Sequence, residues 1–558
     1  MEQNQSFLMH NPASGSVDKK YLTDGSSVFL LLIAAFTGVL SSPKWGIMPF
    51  AWIAPLSWLA FSRLSHMSKK WLLAFPVLMI VSVLSSYDVA PFPIPVLIVL
   101  AVVQSLKILL VYLSDSWITR KRQQFLTTIY FPAAYVSIEY LSSSFGGGVW
   151  WSIANTQLSF RWLSQLASVT GLWGISFLIY WFASVLVWSY QQYLGRNKFR
   201  TGILIYFSML ASVLCFGFIR YQWPNDDQKN KVKVAGLSVP VLGFLENLYK
   251  DFCGKKVSID PKTSISSSRL REITRAEVPF IETADSIRFQ NGWKAMQLIN
   301  DSLLALSQAA ADKGAKIITW SEANALLFKR DEQALIERGK VLSRKNQVYL
   351  LMAMAVIHNG KILPDSKFLE NEAVFIGPDG AVLNVFHKNH PVPMAEASIP
   401  GDGVIPVVET KYGRISTSIC YDADFPIPMK QLGRKKSGLL LLPSGDWYAI
   451  APYHAQMAIF RAIENGNSLL RQASGGFSIA TDYRGKILGS LDYYQEGTKL
   501  WITELPIAHV PTLYTKIGDS FAYVCMGIMS IGWIFLLSMA FRKQTAVISN
   551  QENRILAM

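Results

Sequence analysis

Charged side chains are scarce in this chain: Asp, Glu, Lys and Arg make up 16% of its 558 residues, against about 25% in an ordinary soluble domain. That shortage argues against a wholly water-soluble protein. Acidic residues are scarcer than basic ones, 38 against 53, which leaves a net charge of +15. Yet no basic helix and no basic–aromatic stripe accompanies the excess, so the footprint of a nucleic-acid binder is missing. Cysteine is nearly absent too. Cys215, Cys253, Cys420 and Cys525 are too few and too widely spaced for a disulfide framework or a zinc site. Cys215 and Cys525 fall inside apolar runs, which leaves Cys253 and Cys420 as the pair that could join in an oxidising compartment, although the chemistry below needs Cys420 as a free thiolate. There is no internal repeat and no low-complexity tract, which excludes solenoids and collagen-like chains.

What the chain has instead is apolar length. Hydrophobic residues make up 51% of it, gathered in runs near the length of about 20 residues that a helix needs to cross roughly 30 Å of hydrocarbon. Eight runs stand out, at 27–42, 45–63, 71–87, 93–117, 125–145, 163–190, 201–220 and 523–541. Basic residues test the count. Lys19 and Lys20, then Arg63, Lys69 and Lys70, then Arg120, Lys121 and Arg122, then Arg196, Lys198 and Arg200, and finally Arg542 and Lys543 all fall on one side of the membrane if every run crosses it. Arg161 is the main exception. By the positive-inside rule that side is cytoplasmic. The sequence then divides into a cytoplasmic tail (1–26), a seven-helix membrane domain (27–220), an extracytoplasmic domain (231–505), a closing transmembrane helix (523–541) and a second tail (542–558). Lys107 and Glu139 lie within the runs. They are costly in hydrocarbon, so each has either a functional role or a polar partner in the packed interior.

From 231 to 505 the texture is α/β. Residues 232–239, 316–320, 348–357, 372–377, 381–387 and 439–442 read as strands. Pro378-Asp379-Gly380 is a hairpin turn, because Pro presets φ and Gly permits positive φ. The stretches 292–313 and 453–465 have helical texture, the second stopping at Gly466. The Lys- and Ser-rich stretch 241–290 is either a mobile arm or hides a helix.

Three segments carry chemistry. Trp320-Ser321-Glu322-Ala323 puts a carboxylate at a strand end. His387-Lys388-Asn389-His390 leads into Pro393-Met394-Ala395-Glu396. Ile419-Cys420-Tyr421-Asp422 puts a thiol after an alternating strand. A free thiol is mostly protonated at neutral pH, so attack on an acyl carbonyl needs a base or a neighbouring cation. Glu322 is the candidate base. Lys388 and the backbone N–H of Tyr421 are candidates to stabilise thiolate and oxyanion. Glu396 is a candidate second carboxylate, orienting Lys388 or relaying a proton. His387 and His390 lack further ligands in the sequence, so they read as structural or hydrogen-bonding residues, with no metal expected.

The strand-end Glu, the Lys-x-His-x-Val-Pro context and the Ile-Cys-Tyr-acid block, spaced by 66 and 32 residues, resemble the nitrilase (carbon–nitrogen hydrolase) superfamily. Leu442-Pro443-Ser444 and the pattern His454-x-x-Met457-x-x-x-Arg461-Ala462-x-Glu464-x-Gly466 resemble its later blocks. The membrane frame, Pro393–Glu396, the segment 171–178 and Tyr514-x-x-Ile517-Gly518-Asp519 narrow the resemblance to apolipoprotein N-acyltransferases. That resemblance implies a polytopic α-helical membrane bundle of about eight spans, joined to an α/β nitrilase-like αββα sandwich. It implies a Glu322–Lys388–Cys420 triad supported by Glu396 and Tyr421, and no cofactor. It also implies a phospholipid acyl donor, a lipoprotein N-terminal acceptor, and a place in the inner membrane with the catalytic domain on the periplasmic side. A membrane-tethered amidase hydrolysing a small amide is the alternative. A catalytically dead scaffold or transporter is a further one, disfavoured because all three triad residue types are present. Ser321, Asp422 and Met394-Ala395 depart from the family pattern, and these departures bear on donor and acceptor recognition.

Overall fold

The structure is a computed structural model that describes residues 22–67, 69–121, 123–223, 231–363, 365–495 and 500–556. Of the features expected above, most of the first tail, with Lys19 and Lys20, and Arg122 lie outside the described residues.

Each apolar run carries a helix: Asp24–Leu40, Phe50–Leu64, Lys70–Ser86, Ile94–Lys121, Tyr130–Ser142, Trp173–Leu194, Arg200–Gln222 and Ser520–Leu556. Among the described residues, Ile94–Lys121, Trp173–Leu194, Arg200–Gln222 and Ser520–Met539 are each long and apolar enough to cross a membrane; Asp24–Leu40 and Lys70–Ser86 are apolar but shorter. Two boundaries differ from the sequence reading. The run at 163–190 is not one helix. Two short turns, Arg161–Ser164 and Ala167–Thr170, precede Gly171, whose φ of 66° breaks the helix before Trp173. Only glycine fits there, because an added Cβ would stand 2.8 Å from the Tyr514 ring. The last helix continues through the expected tail to Leu556.

The two ends of the bundle differ. Arg63, Arg120 and Leu194 line one small cavity, so the C-terminal ends of three helices meet at one end. There Arg63 pairs with buried Asp115 at 2.7 Å and donates to the Ser184 hydroxyl at 3.1 Å. At the other end, loops meet the α/β domain. Trp447 Nε1 donates to the Asp88 carbonyl at 2.7 Å, and the Val149 N–H to the Asp424 carbonyl at 2.8 Å. Lys107 and Glu139 also have partners: Lys107 donates to the Ser142 hydroxyl at 2.9 Å, and Glu139 accepts from Tyr180 and Ser152, each at 3.1 Å.

The α/β domain begins with β1 (Lys231–Leu237), β2 (Ile317–Trp320), β3 (Ala325–Phe328), β4 (Tyr349–Ile357), β5 (Leu369–Ile376) and β6 (Val382–His387). It continues with β7 (Val407–Thr410), β8 (Gly413–Thr417), β9 (Leu439–Gly445), β10 (Ser468–Ser474), β11 (Phe477–Thr481), β12 (Ile487–Asp492) and β13 (Leu500–Pro506). One sheet runs β13-β1-β2-β4-β5-β6 with β3 also on β4; the other runs β12-β11-β10-β9-β8-β7. Val234, Ile317, Leu351 and Phe375 of the first sheet pack with Ile415, Leu439, Leu441 and Leu470 of the second, forming the layer between them. The first sheet's other face packs on the helices Leu242–Cys253, Gln290–Asp312 and Glu332–Asn346. The second sheet's other face packs on Ala451–Asn465, which also meets the membrane helices. The result is helix, sheet, sheet, helix, with alternate strand residues feeding alternate layers.

The stretch 241–290 folds as three helices, Leu242–Cys253, Ser268–Thr274 and Glu277–Thr283. Phe244, Leu248, Ile273 and Phe280 are buried, so it is not an arm. The two shorter helices are too brief to show a 3.6-residue period.

Candidate active site

Glu322, Lys388 and Cys420 come from three different segments of the chain, and the sandwich brings them to one buried place. Glu322 follows β2, where its neighbour Ala323 turns the chain with φ 48° and the Glu322 N–H donates to the Ser444 carbonyl at 3.3 Å. Lys388 follows β6, and its N–H donates to the Asn371 carbonyl of β5 at 2.9 Å. Cys420 opens a 3₁₀ turn, Cys420–Asp424, with φ 46°. Left-handed backbone at a non-glycine residue costs of order 1–3 kcal/mol and persists only where its surroundings impose it.

The Lys388 ammonium is fully buried and sits between two carboxylates. It donates to Glu322 Oε1 at 2.7 Å and also to Glu396 Oε1. Asn371 Nδ2 donates to the same Glu322 oxygen at 2.8 Å, so one carboxylate oxygen is held from two sides. Burial disfavours charge on Lys388, but Glu322, the Cys420 thiol and Glu396 more than offset it and hold its pKa well above the usual lysine value. Burial pushes the Cys420 thiol well up, Glu322 adds to that, and Lys388 opposes it. At rest the group is therefore a neutral thiol beside a cation locked to carboxylates. Such a site can ionise the thiol during attack, with carboxylate as proton acceptor and ammonium as countercharge.

Asp422 joins the thiol turn to the Lys388 segment. Its carboxylate accepts from the Ile419 N–H at 3.2 Å, the His390 N–H at 2.7 Å and the Asn389 N–H at 3.4 Å. His390 also meets Asp422 through Nδ1 at 2.9 Å and stacks on Phe425 with ring centroids 4.0 Å apart. Tyr421 packs edge-on against Phe425. His387 lies on the other side of its strand end, against Glu370 and Glu372.

Three residues near Cys420 carried no signal as a group in the sequence. Asp446, His454 and Arg471 form a buried network: Arg471 Nη2 reaches Asp446 at 2.7 Å, and His454 Nδ1 meets Asp446 at 2.7 Å. Burial alone would raise the Asp446 pKa, yet Arg471 and His454 hold it below the usual carboxylate value. Burial alone would lower His454, yet Asp424 and Asp446 raise it to about 9. The network backs the strand β9 whose Gly445 carbonyl lies 3.5 Å from Cys420 Sγ. Asn371 was equally invisible in the sequence, as a lone polar residue in a strand.

The four cysteines are free thiols, with Cys420 buried and Cys253 exposed, so the two do not pair.

Comparison with known proteins adds to this geometry. Residues 34–185 match the apolipoprotein N-acyltransferase N-terminal domain, and residues 291–512 match the carbon–nitrogen hydrolase family. The chain is 25% identical to an apolipoprotein N-acyltransferase of Geobacter metallireducens, over 92% of this chain and 96% of that protein. It is 22% identical to apolipoprotein N-acyltransferase 1 of Treponema denticola, over 95% of this chain and 99% of that protein. Among solved structures, an amidase from Nesterenkonia sp. aligns with 52% of this chain and 95% of its own at 16% identity, with a TM-score of 0.35.

Proposed function

Given that the chain belongs to the apolipoprotein N-acyltransferase family, we propose that it moves a fatty acyl chain from a membrane phospholipid, through a thioester on Cys420, to the N-terminal amine of a diacylglyceryl-cysteine lipoprotein. The observation that carries the mechanism is the buried Lys388 ammonium bonded to both Glu322 and Glu396 beside Cys420.

In the first half-reaction Glu322 takes the thiol proton as Sγ attacks the ester carbonyl. Lys388 and the Tyr421 backbone N–H stabilise the tetrahedral oxyanion. Collapse breaks the ester C–O bond, and the leaving lysophospholipid oxygen takes the proton back from Glu322. In the second half-reaction the lipoprotein amine attacks the thioester and gives its proton to Glu322. The C–S bond then breaks and the sulfur takes the proton back from Glu322, leaving an amide and a thiol. Glu396 holds Lys388 in place through both steps. No cofactor enters.

Both substrates are lipid-anchored, and the bundle supplies the surface on which they reach the site. In this reading all eight apolar runs cross the membrane, seven before the α/β domain and one after it, and the domain lies on the periplasmic side of the inner membrane. The clustering of Arg63 and Arg120 at the end of the bundle away from the α/β domain supports that orientation. In a membrane-tethered amidase, water would resolve the same thioester; the match to the apolipoprotein N-acyltransferase N-terminal domain over 34–185 favours the amine.

Mass spectrometry of the purified enzyme incubated with phospholipid tests the reading. An acyl adduct on Cys420, absent from Cys420→Ala and discharged by a lipopeptide amine, is expected. An unmodified wild-type thiol, or ammonia release from small amides without transfer, would overturn it.

A further inference from the structure

Behind the catalytic lysine, on the opposite face of the same strand ends, lies a second cluster of charged groups that the acyl-transfer chemistry leaves unused. Glu370 and Glu372 alternate with Asn371 along β5, so Asn371 points to Glu322 while the two glutamates share the other face. His387 is the cross-strand partner of Glu372 on β6 and directly precedes Lys388. Its Nε2 stands 3.4 Å from Glu372 Oε2 and 3.7 Å from Glu370 Oε2. One donor atom from each of the three residues lies within 4.8 Å of the others.

These separations have a chemical meaning. Imidazole nitrogen and carboxylate oxygen bind a tetrahedral zinc ion at about 2.0–2.2 Å, which sets neighbouring donors roughly 3.3–3.5 Å apart. The His387–Glu372 separation falls in that range, and the His387–Glu370 separation is slightly wider. The charge also asks for a cation. The Glu372 side chain is only 1% exposed, and its Oε1 has no hydrogen-bond partner among the described residues. A buried carboxylate oxygen without a donor is costly. Among the described residues, the lysine at hand is already shared: Lys329 Nζ bonds Glu332 at 2.6 Å and Glu370 Oε2 at 2.8 Å, and no bond from it to Glu372 is present. His358 Nε2 holds the remaining Glu370 oxygen at 2.6 Å, as an outer partner that orients a ligand does. His358 and His387 are both partly exposed, which leaves an entry path for an ion and a place for a water ligand.

We propose that Glu370, Glu372 and His387 bind a divalent cation of borderline type, zinc foremost, with His358 orienting Glu370. The ion clips β5 to β6 on the face opposite Asn371 and Lys388, and so braces the two strand ends that aim those side chains at Glu322. This is a structural site, independent of the acyl-transfer reading.

The test uses the full chain in detergent, stripped with chelator and then titrated with Zn²⁺ and, separately, Co²⁺. The expected result is one Zn²⁺ per chain by elemental analysis after dialysis. It should be retained in Cys420→Ala and weakened at least ~10-fold in Glu372→Gln and in His387→Gln. Co²⁺ bound to the wild type should show visible d–d bands with no thiolate-to-metal charge-transfer band, a readout that does not depend on the variants folding. Three results would each overturn the site: no stoichiometric ion on the wild type because Lys329 suffices, binding lost in Cys420→Ala or marked by a thiolate band, or binding unchanged in Glu372→Gln.

Discussion

The Asp422 carboxylate accepts the His390 backbone N–H at 2.7 Å, and that contact binds the turn carrying Cys420 to the segment carrying Lys388. Thiol and ammonium are held by one side chain that touches neither. Asp422 is 2% exposed and caps its own turn through the Ile419 N–H. Replacing it with Ala leaves backbone donors unpaired in a buried place, which costs about 1–3 kcal/mol. Asp422→Ala should lose more acyl-transfer activity than Asp422→Asn, which keeps one acceptor oxygen. Steady-state transfer to a lipopeptide, read beside the melting temperature of each variant, checks this. Equal activity in the two variants would assign Asp422 no positioning role.

Gly445 sets the room beside Glu322, the proposed base. A Cβ there would stand 3.2 Å from Glu322 Oε2, tight enough that the carboxylate must give way by a few tenths of an ångström. Misplacing a reacting group by about 1 Å costs roughly 100-fold, so Gly445→Ala should lower kcat about 10-fold with little change in melting temperature. An unchanged kcat would mean that Glu322 has slack.

The Cys420 thiol is raised by burial and by Glu322 against the pull of Lys388. Its alkylation rate, followed on the Cys420 peptide by mass spectrometry, should keep climbing with pH beyond about 8.5, the ordinary thiol value. Glu322→Gln removes the anionic neighbour and should shift the curve to lower pH. Lys388→Met removes the cation and should shift it higher. Opposite shifts would reverse the assigned electrostatics.

His454 has its pKa raised to about 9 by Asp424 and Asp446 despite burial. A pKa higher in the folded state than the ordinary 6.5 adds stability that is fully present below about pH 6.5 and is lost as pH rises through about 9. The contribution is about 3 kcal/mol, in order of magnitude. The melting temperature should therefore fall between pH 7 and pH 10, and His454→Gln should fall less over the same range. Parallel curves would place the loss elsewhere.

Asp519 links the α/β domain to the membrane helices. Its buried carboxylate accepts from Trp173 Nε1 at 3.1 Å and the Tyr514 hydroxyl at 2.7 Å, and pairs with Lys430 at 2.5 Å. Removing one partner of a buried pair costs roughly 3–5 kcal/mol. Asp519→Ala should destabilise the detergent-solubilised enzyme by that order, with Asp519→Asn between it and wild type. Tryptophan fluorescence during thermal unfolding reads this directly, because Trp173 is a ligand of the carboxylate.

Part of the candidate site was legible in residue types read together with their flanking blocks. Glu322, Lys388 and Cys420 each sit at the end of a strand whose alternation or apolar run is plain in the sequence, and a nucleophile, a base and a cation are chemically recognisable without coordinates. Glu396 was singled out as a second carboxylate in the Pro393–Glu396 block, by its resemblance to the N-acyltransferase pattern. Asn371, Asp446 and Arg471 were not, because a single polar residue in or just after a buried strand looks the same whether it holds a reacting group or merely satisfies the backbone. The helices Ser268–Thr274 and Glu277–Thr283 were illegible for another reason: each is too short to show a period and is held by burial of residues such as Ile273 and Phe280.

His387 shows most clearly where the division falls. By itself the sequence determined the apolar runs, the α/β texture and the three segments that carry Glu322, Lys388 and Cys420, because hydrophobic period and residue chemistry are local properties. Strand pairing decided the rest. The register that sets His387 opposite Glu372 also turns Asn371 and Lys388 toward Glu322 on the other face. Which side chains meet across a sheet depends on contacts between distant segments, and no local pattern records them.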